Sequence, residues 1–117
     1  MNSIHLIGRL GGEPTCTSYG DDGGKRLGRF SLAIVDHKSA SKEATWILVT
    51  VFDGPDQRFA EQHLSKGDLV AIEGRLQQNR WATEDGDKRT SLTVIATSIT
   101  GLSLAKWQET RNEEASA

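Results

Sequence analysis

Residues 69–81 alternate with a period of two. Val70, Ile72, Gly74 and Leu76 share one parity, and Glu73, Arg75, Gln77, Asn79 and Trp81 share the other. Successive side chains of a strand point to opposite faces. The pattern therefore predicts a strand with one core face and one polar face, the polar face ending in a tryptophan. Glu84-Asp85-Gly86-Asp87 follows with an Asp-Gly turn signal. A return strand is expected over 90–99, with Leu92, Val94 and Ala96 on one face.

The same reading applied from the N-terminus predicts three earlier strands. In residues 3–10, Ile4 and Leu6 alternate with His5, Ile7 and Arg9, and Gly11-Gly12-Glu13-Pro14 ends the run. Residues 15–20 read as a short extended piece before the turn Tyr19–Gly24. Over 27–35, Phe30, Leu32 and Ile34 form a core parity against Arg29, Ser31, Ala33 and Val35. Residues 36–44 are small and polar, and read as an exposed loop. The strongest strand signal is 46–52, with Ile47, Val49 and Val51 on one face and Trp46, Leu48, Thr50 and Phe52 on the other. Both faces are largely apolar, which predicts a central strand or one whose outer face meets a partner.

One helix is expected, over 53–67. Asp53 or Gly54 can cap it and Pro55 suits its first position. Phe59, Ala60, His63 and Leu64 make a stripe at helical spacing, and Gly67 is placed as a stop. Short strands separated by turn signals, with one helix between the third strand and the next, are the order of an all-β fold. The expectation is a five-stranded Greek-key OB-fold barrel whose helix caps one end. Residues 1–102 are expected to form this domain, and 103–117 a short, flexible polar tail carrying Trp107.

The chain's 117 residues suffice for one domain with one core. No apolar run is long enough for a membrane helix, and the first residues lack the basic and apolar regions of a signal peptide. Cys16 is the single cysteine and has no internal disulfide partner, so a reducing cytoplasm is the expected compartment. The net charge of −2 arises in the last ten residues, where Arg111 faces Glu109, Glu113 and Glu114. The rest of the chain is balanced, so a basic groove has to be argued from particular residues.

A phosphate loop is suggested by Gly20-Asp21-Asp22-Gly23-Gly24-Lys25. The match fails, because a Walker loop needs four residues before its Gly-Lys and then Ser or Thr. Three intervene here, Arg26 follows, and two aspartates would repel phosphate. His5, His37 and His63 fall on a strand, a loop and a helix, without metal-ligand spacing to Cys16 or a carboxylate. No nucleophile pairs with a base. Neither catalysis nor a cofactor is expected.

Aromatics interleaved with cations remain. Trp46 and Phe52 share a face roughly 20 Å apart at strand rise, and Trp81 lies on a neighbouring strand. Arg9, Arg29, Lys42, Arg75, Arg80, Lys88 and Arg89 fall on strands or loops around them. Single-stranded nucleic acid is bound by this pairing of rings and cations. Aromatics at sheet positions are also ordinary core residues, and spacing leaves both readings open. Arg80 has the opposite parity to Trp81, so both can meet one strand only if the hairpin twists, bulges or projects.

Several segments, taken in order, resemble the bacterial single-stranded DNA-binding (SSB) family of homotetrameric OB folds. They are Ile4-His5-Leu6-Ile7-Gly8-Arg9-Leu10-Gly11 with Glu13-Pro14, Phe30-Ser31-Leu32-Ala33, and Thr45-Trp46 leading to Val49-Thr50-Val51-Phe52. Leu64-Ser65-Lys66-Gly67-Asp68, Ile72-Glu73-Gly74-Arg75-Leu76, Arg80-Trp81 and Asp85-Gly86 complete the set. The resemblance covers residues 1–102. It implies sequence-tolerant binding of single-stranded DNA in replication, recombination or repair, by bases stacked on Trp46, Phe52 and Trp81, and self-association as a homotetramer. His37 stands near a fourth aromatic position of the family, and Ile47 replaces a histidine common there. The family's long tail with its acidic Ile-Pro-Phe tip has no counterpart in Asn112–Ala117, so a short form without recruitment of repair enzymes is expected. Two other readings share the fold. One is similarity to the dimeric primosomal OB proteins, which bind single-stranded DNA and a helicase. The other is a protein-interaction module without DNA binding, which the acidic net charge would suit.

Overall fold

The structure is a computed structural model that describes residues 1–35 and 43–106. Its elements are β1 (Ile4–Leu10), β2 (Thr15–Tyr19), β3 (Lys25–Val35), β4 (Ala44–Val51), α1 (Pro55–His63), β5 (Leu69–Ala82) and β6 (Lys88–Ser103). The sheet order is β1-β5-β6-β4-β3-β2, with a further pairing of β1 to β3. That last contact, Arg9 to Ala33 and Leu10 to Leu32, closes five strands into a ring over part of its height. The β4–β6 pairing is parallel and all the others are antiparallel. This is the expected OB-fold barrel, with α1 between the third and fourth strands of the ring. The extended piece at 15–20 is a sixth strand, β2, added outside the ring along β3.

The barrel closes because each strand keeps its apolar parity inward. Leu10, Phe30, Leu32, Val49, Val51, Val70, Ile72 and Val94 are buried, and Ile4, Leu6, Ile34 and Ile47 pack against them. In β6 the inward residues are Val94, Ala96 and Ile99, so the interval changes from two to three. A bulge between the Glu73–Ser98 and Gly74–Ala96 pairs absorbs the extra residue, Thr97. A bulge leaves one residue unpaired and re-aims the strand. Thr97 fills the break by donating its hydroxyl to Glu73 O at 3.1 Å. Gly74 sits where β5 comes closest to β6, and a Cβ there would meet Ile95 O at 2.1 Å. The two long strands run past the expected 69–81 and 90–99, and their turn is closed by Thr83 N–H donating to Asp87 O at 2.8 Å.

The helix is shorter than its apolar stripe. It starts at Pro55, as expected, with Gly54 as N-cap, but ends at His63 rather than 67. Leu64 leaves the helical backbone at φ −86°, ψ 141°, while its side chain still packs in the core. Gly67 therefore does not stop the helix. It lies in the following turn, where Asp68 N–H donates to Ser65 O at 3.1 Å. Asp68 is buried, and its two carboxylate oxygens accept from Ser65 N–H at 2.7 Å and Ala105 N–H at 3.0 Å. The latter bond holds the chain beyond β6 so that Leu104 fills the core. Of the stretch read as a tail, residues 107–117 lie outside the described ones, Trp107 among them.

An ion pair joins α1 to the β2–β3 hairpin. Arg26 donates to Glu61 Oε1 through Nε at 3.1 Å and through Nη2, and its Nη1 donates to Ser18 Oγ at 3.0 Å. The Arg26 hydrogen bonds hold the Glu61 carboxyl below its usual value. Cys16 lies beside Gln57 and Glu61, and partial burial pushes its thiol up. A carboxylate held low in the fold contributes stability above its unfolded pKa and loses it as pH falls through the folded one. Thermal stability is expected to drop on acidification below about pH 4.3. Glu61→Gln should flatten that part of the profile, and melting temperatures measured across the acid range for both chains check this.

Candidate nucleic-acid interface

Partners across a ladder share a face, so the register fixes the outer surface of the barrel. One row runs Thr15, Arg29, Thr50, Ile95, Arg75 across β2, β3, β4, β6 and β5. The next runs Ser31, Leu48, Thr93, Gln77. Trp46 and Phe52 lie on the same face, at the start and just past the end of β4. The two rings are 60% and 47% exposed. Neither is a core residue, although β4 is central in the sheet. Its inner face carries Val49 and Val51, and its outer face carries the rings.

Two shallow grooves flank this line. The first, about 470 Å³, lies between Trp46 and the Gly11-Gly12-Glu13 corner, with Arg29 and Ser31 on its floor. The indole of Trp46 rests on Gly11, where a Cβ would stand 2.4 Å from its Cζ3 atom. Gly11, expected only to end a strand, thus serves as the seat of the ring. The second groove, about 280 Å³, lies between Phe52 and the pair Gln77–Asn79. Phe52 is held from behind by Tyr19, whose ring meets it edge-on at 6.3 Å and 79°. The Tyr19 hydroxyl accepts from Asp53 N–H at 3.4 Å. Tyr19 falls in the turn signal, and nothing local in the sequence points to this contact.

Beyond Leu76 and Leu92 the β5–β6 hairpin leaves the barrel as a two-stranded ribbon. Trp81, 50% exposed, stands on the same face as Asn79 and directly opposite Arg89. The ladder is regular there, its register shifts lying back at 69–70 and 73–74. Arg80, paired with Thr90, and Lys88, paired with Ala82, therefore occupy the reverse face. The expected set divides accordingly. Arg29, Arg75 and Arg89 share the face of Trp46, Phe52 and Trp81, whereas Arg80 and Lys88 do not. Arg80 donates instead to Gln78 Oε1 at 3.0 Å. Arg9 lies in the row of Ala33 and Trp46, but its Nη1 donates to Gly67 O at 3.0 Å. Lys42 and His37 lie outside the described residues.

Acidic groups on this surface include Glu73, which shares the face of Arg75 and lies 3.2 Å from His5 Nε2. Glu13 borders the first groove and accepts from Lys66 N–H at 3.3 Å. Glu84, Asp85 and Asp87 sit at the ribbon tip. Among the described residues no cluster of His, Cys, Asp or Glu could hold a metal ion, and no helix is long and apolar enough to cross a membrane. The surface offers flat rings, guanidinium groups and carboxamides, which together suit a polymer of planar rings on an anionic backbone.

Residues 1–102 match the model of the single-strand binding protein family. The chain belongs to that family. Among its relatives, a Thermotoga maritima single-stranded DNA-binding protein is 37% identical over 100 residues, covering 82% of this chain and 70% of that protein. A Staphylococcus aureus single-stranded DNA-binding protein is 31% identical over 102 residues, covering 85% and 70%. A solved structure of Plasmodium falciparum SSB in complex with ssDNA superposes with a TM-score of 0.75 at 26% identity, covering 87% of this chain and 95% of that one. In this single-strand binding family member, the Ile72–Leu76 segment quoted for the resemblance contains Gly74, whose lack of a side chain the β5–β6 approach requires.

Proposed function

We propose that the chain binds single-stranded DNA with little regard to sequence. Bases stack on Trp46, Phe52 and Trp81 while Arg29, Arg75 and Arg89 follow the phosphates. The observation that carries this reading is the exposure of all three rings on one face, in a member of the single-strand binding family. Binding is ascribed to residues 1–102, and its use to covering exposed strands during replication, recombination or repair in the cytoplasm. The role is that of a binder, not of an enzyme.

Titration of tryptophan fluorescence with a dT oligomer tests it. Two of the rings are indoles, so quenching is expected, and counterion release should weaken binding as salt rises. Three arginines in contact with phosphates correspond to a slope of log K against log salt of about −2 for a single strand. Absence of quenching at low salt would refute the reading.

Self-association as a homotetramer is part of the proposal. Ile7 is 60% exposed on the outer face of β1. Among the described residues, Ile4–Ile7 pair with β5 alone, and their other backbone edge is the one proposed to meet a second copy. An open edge beside an apolar residue invites strand pairing between chains. Sedimentation equilibrium should give four chain masses, and Ile7→Arg should give fewer. A dimeric parent would instead favour the primosomal type of assembly.

A further inference from the structure

Trp46 and Phe52 share the outer face of the sheet but are held differently. Trp46 lies inside the β3–β4 ladder, paired with Ala33. Phe52 lies one residue past the last pair of that ladder, Gly28–Val51, so the register does not fix it. What reaches it is the end of the β2–β3 hairpin. Asp53 Oδ1 accepts from Arg26 N–H at 2.9 Å, and Asp53 N–H donates to the Tyr19 hydroxyl at 3.4 Å. Tyr19 pairs with Lys25 at the same end, and its ring stands nearly perpendicular to that of Phe52, at 79° and 6.3 Å. β2 lies outside the closed ring of strands, and none of its residues belongs to the core cluster. Core packing therefore does not account for Tyr19. A ring that turns freely must be ordered before a base can stack on it, and ordering a side chain costs affinity. Phe52, 47% exposed, has room to turn on its groove side, and Tyr19 limits it from behind.

We propose that Tyr19 is a positioning residue, which sets the Phe52 ring in the orientation in which a base stacks without itself touching the DNA. The inference rests on the single-stranded DNA reading above and adds the residue through which one of its three rings acts. Aromatic pairs favour edge-to-face geometry, so the contact sets an angle as well as a distance. The hydroxyl contact at 3.4 Å is longer than an ordinary N–H···O bond, so the Tyr19 ring and not its hydroxyl does the positioning. Such preorganisation favours every base equally, since Tyr19 meets Phe52 and not the edge of a base.

A double-mutant cycle on Tyr19 and Phe52, read as affinity for a dT oligomer, tests this. Phe52→Ala should weaken binding roughly tenfold. Tyr19→Ala should weaken it roughly fivefold while Phe52 is present, and should add no loss in the Phe52→Ala background. Tyr19→Phe keeps the ring contact and should bind within about twofold of the parent. Thermal melts of the same chains check the fold. Tyr19→Leu, which keeps apolar bulk without a flat ring, takes the place of Tyr19→Ala in the cycle if the alanine chain melts early, with the same pattern expected. Parental affinity in the Tyr19 variant overturns the proposal. A loss that recurs in full in the Phe52→Ala background also overturns it, because Tyr19 would then meet the DNA directly. So does a Tyr19→Phe chain as weak as Tyr19→Ala, which would assign the effect to the hydroxyl. Parental affinity in Phe52→Ala overturns it as well and leaves binding to the two tryptophans. A parent that binds no dT overturns the binding reading itself.

Discussion

Changing Trp46 and Trp81 together to alanine is expected to abolish most of the affinity for single-stranded DNA without unfolding the protein. Base stacking on an aromatic contributes about 1–3 kcal/mol per base, so the pair contributes about 2–6 kcal/mol. Even the lower figure raises Kd roughly thirtyfold. The fold should survive, since both rings are at least half exposed and neither belongs to the core cluster. Substitutions at such positions usually shift stability by about 0.5 kcal/mol or less. Equilibrium titrations with dT oligomers, paired with thermal melts of parent and variant, measure both quantities. Parental affinity in the double variant would remove Trp46 and Trp81 as stacking residues.

Gly74→Ala is expected to be the most damaging single methyl group. The new Cβ would sit 2.1 Å from Ile95 O, 3.0 Å from Ile95 C and 3.1 Å from Ala96 Cα. All three are backbone atoms of the neighbouring strand, so no rotamer change relieves the clash. The ladder must part beside the Thr97 bulge, where the inward parity of β6 is reset. Overpacking of this kind costs about 1–3 kcal/mol and more where the surroundings cannot yield, and about 3 kcal/mol is the expected loss. Urea unfolding of the variant should show a lower midpoint. Gly12→Ala, at a position with nothing within 4 Å of the added carbon, serves as the tolerant comparison.

Where alternation was uninterrupted, the sequence was a sound guide to the fold. Ile47, Val49 and Val51 were divided from Trp46, Leu48 and Phe52 because a strand's period of two is rigid, but both sets are apolar, and only the fold shows that the first faces the core. The helix end was harder to read. Leu64 continues the apolar stripe in spacing but reaches the core from an extended backbone, and Gly67 resembles a stop while serving a later turn. Gln57 escaped notice because it is polar, yet it is fully buried on the helix. The bulge left only a faint signal, the three-residue interval from Ala96 to Ile99.

The candidate site was legible in its rings and less so in everything that positions them. The opposite parity of Arg80 and Trp81 was legible, but a twist or bulge could have undone it, and Lys88 looked equivalent to Arg89; the regular ribbon register assigns both Arg80 and Lys88 to the reverse face. Gly11 under Trp46, Tyr19 behind Phe52, and the Gln77–Asn79 wall all depend on contacts between segments far apart in the chain. Such contacts follow from which strands are neighbours, and the parallel β4–β6 pairing is what brings the two halves of the surface together.

The ribbon carries one more consequence. Two-stranded ribbons twist more strongly than the interior of a sheet. The ribbon that carries Trp81 is therefore expected to turn away from the part of the sheet that carries Trp46 and Phe52. A strand touching all three cannot lie straight; it must follow a saddle. Bound DNA would be shortened end to end, with its curvature set by the pitch of a hairpin rather than by any single contact.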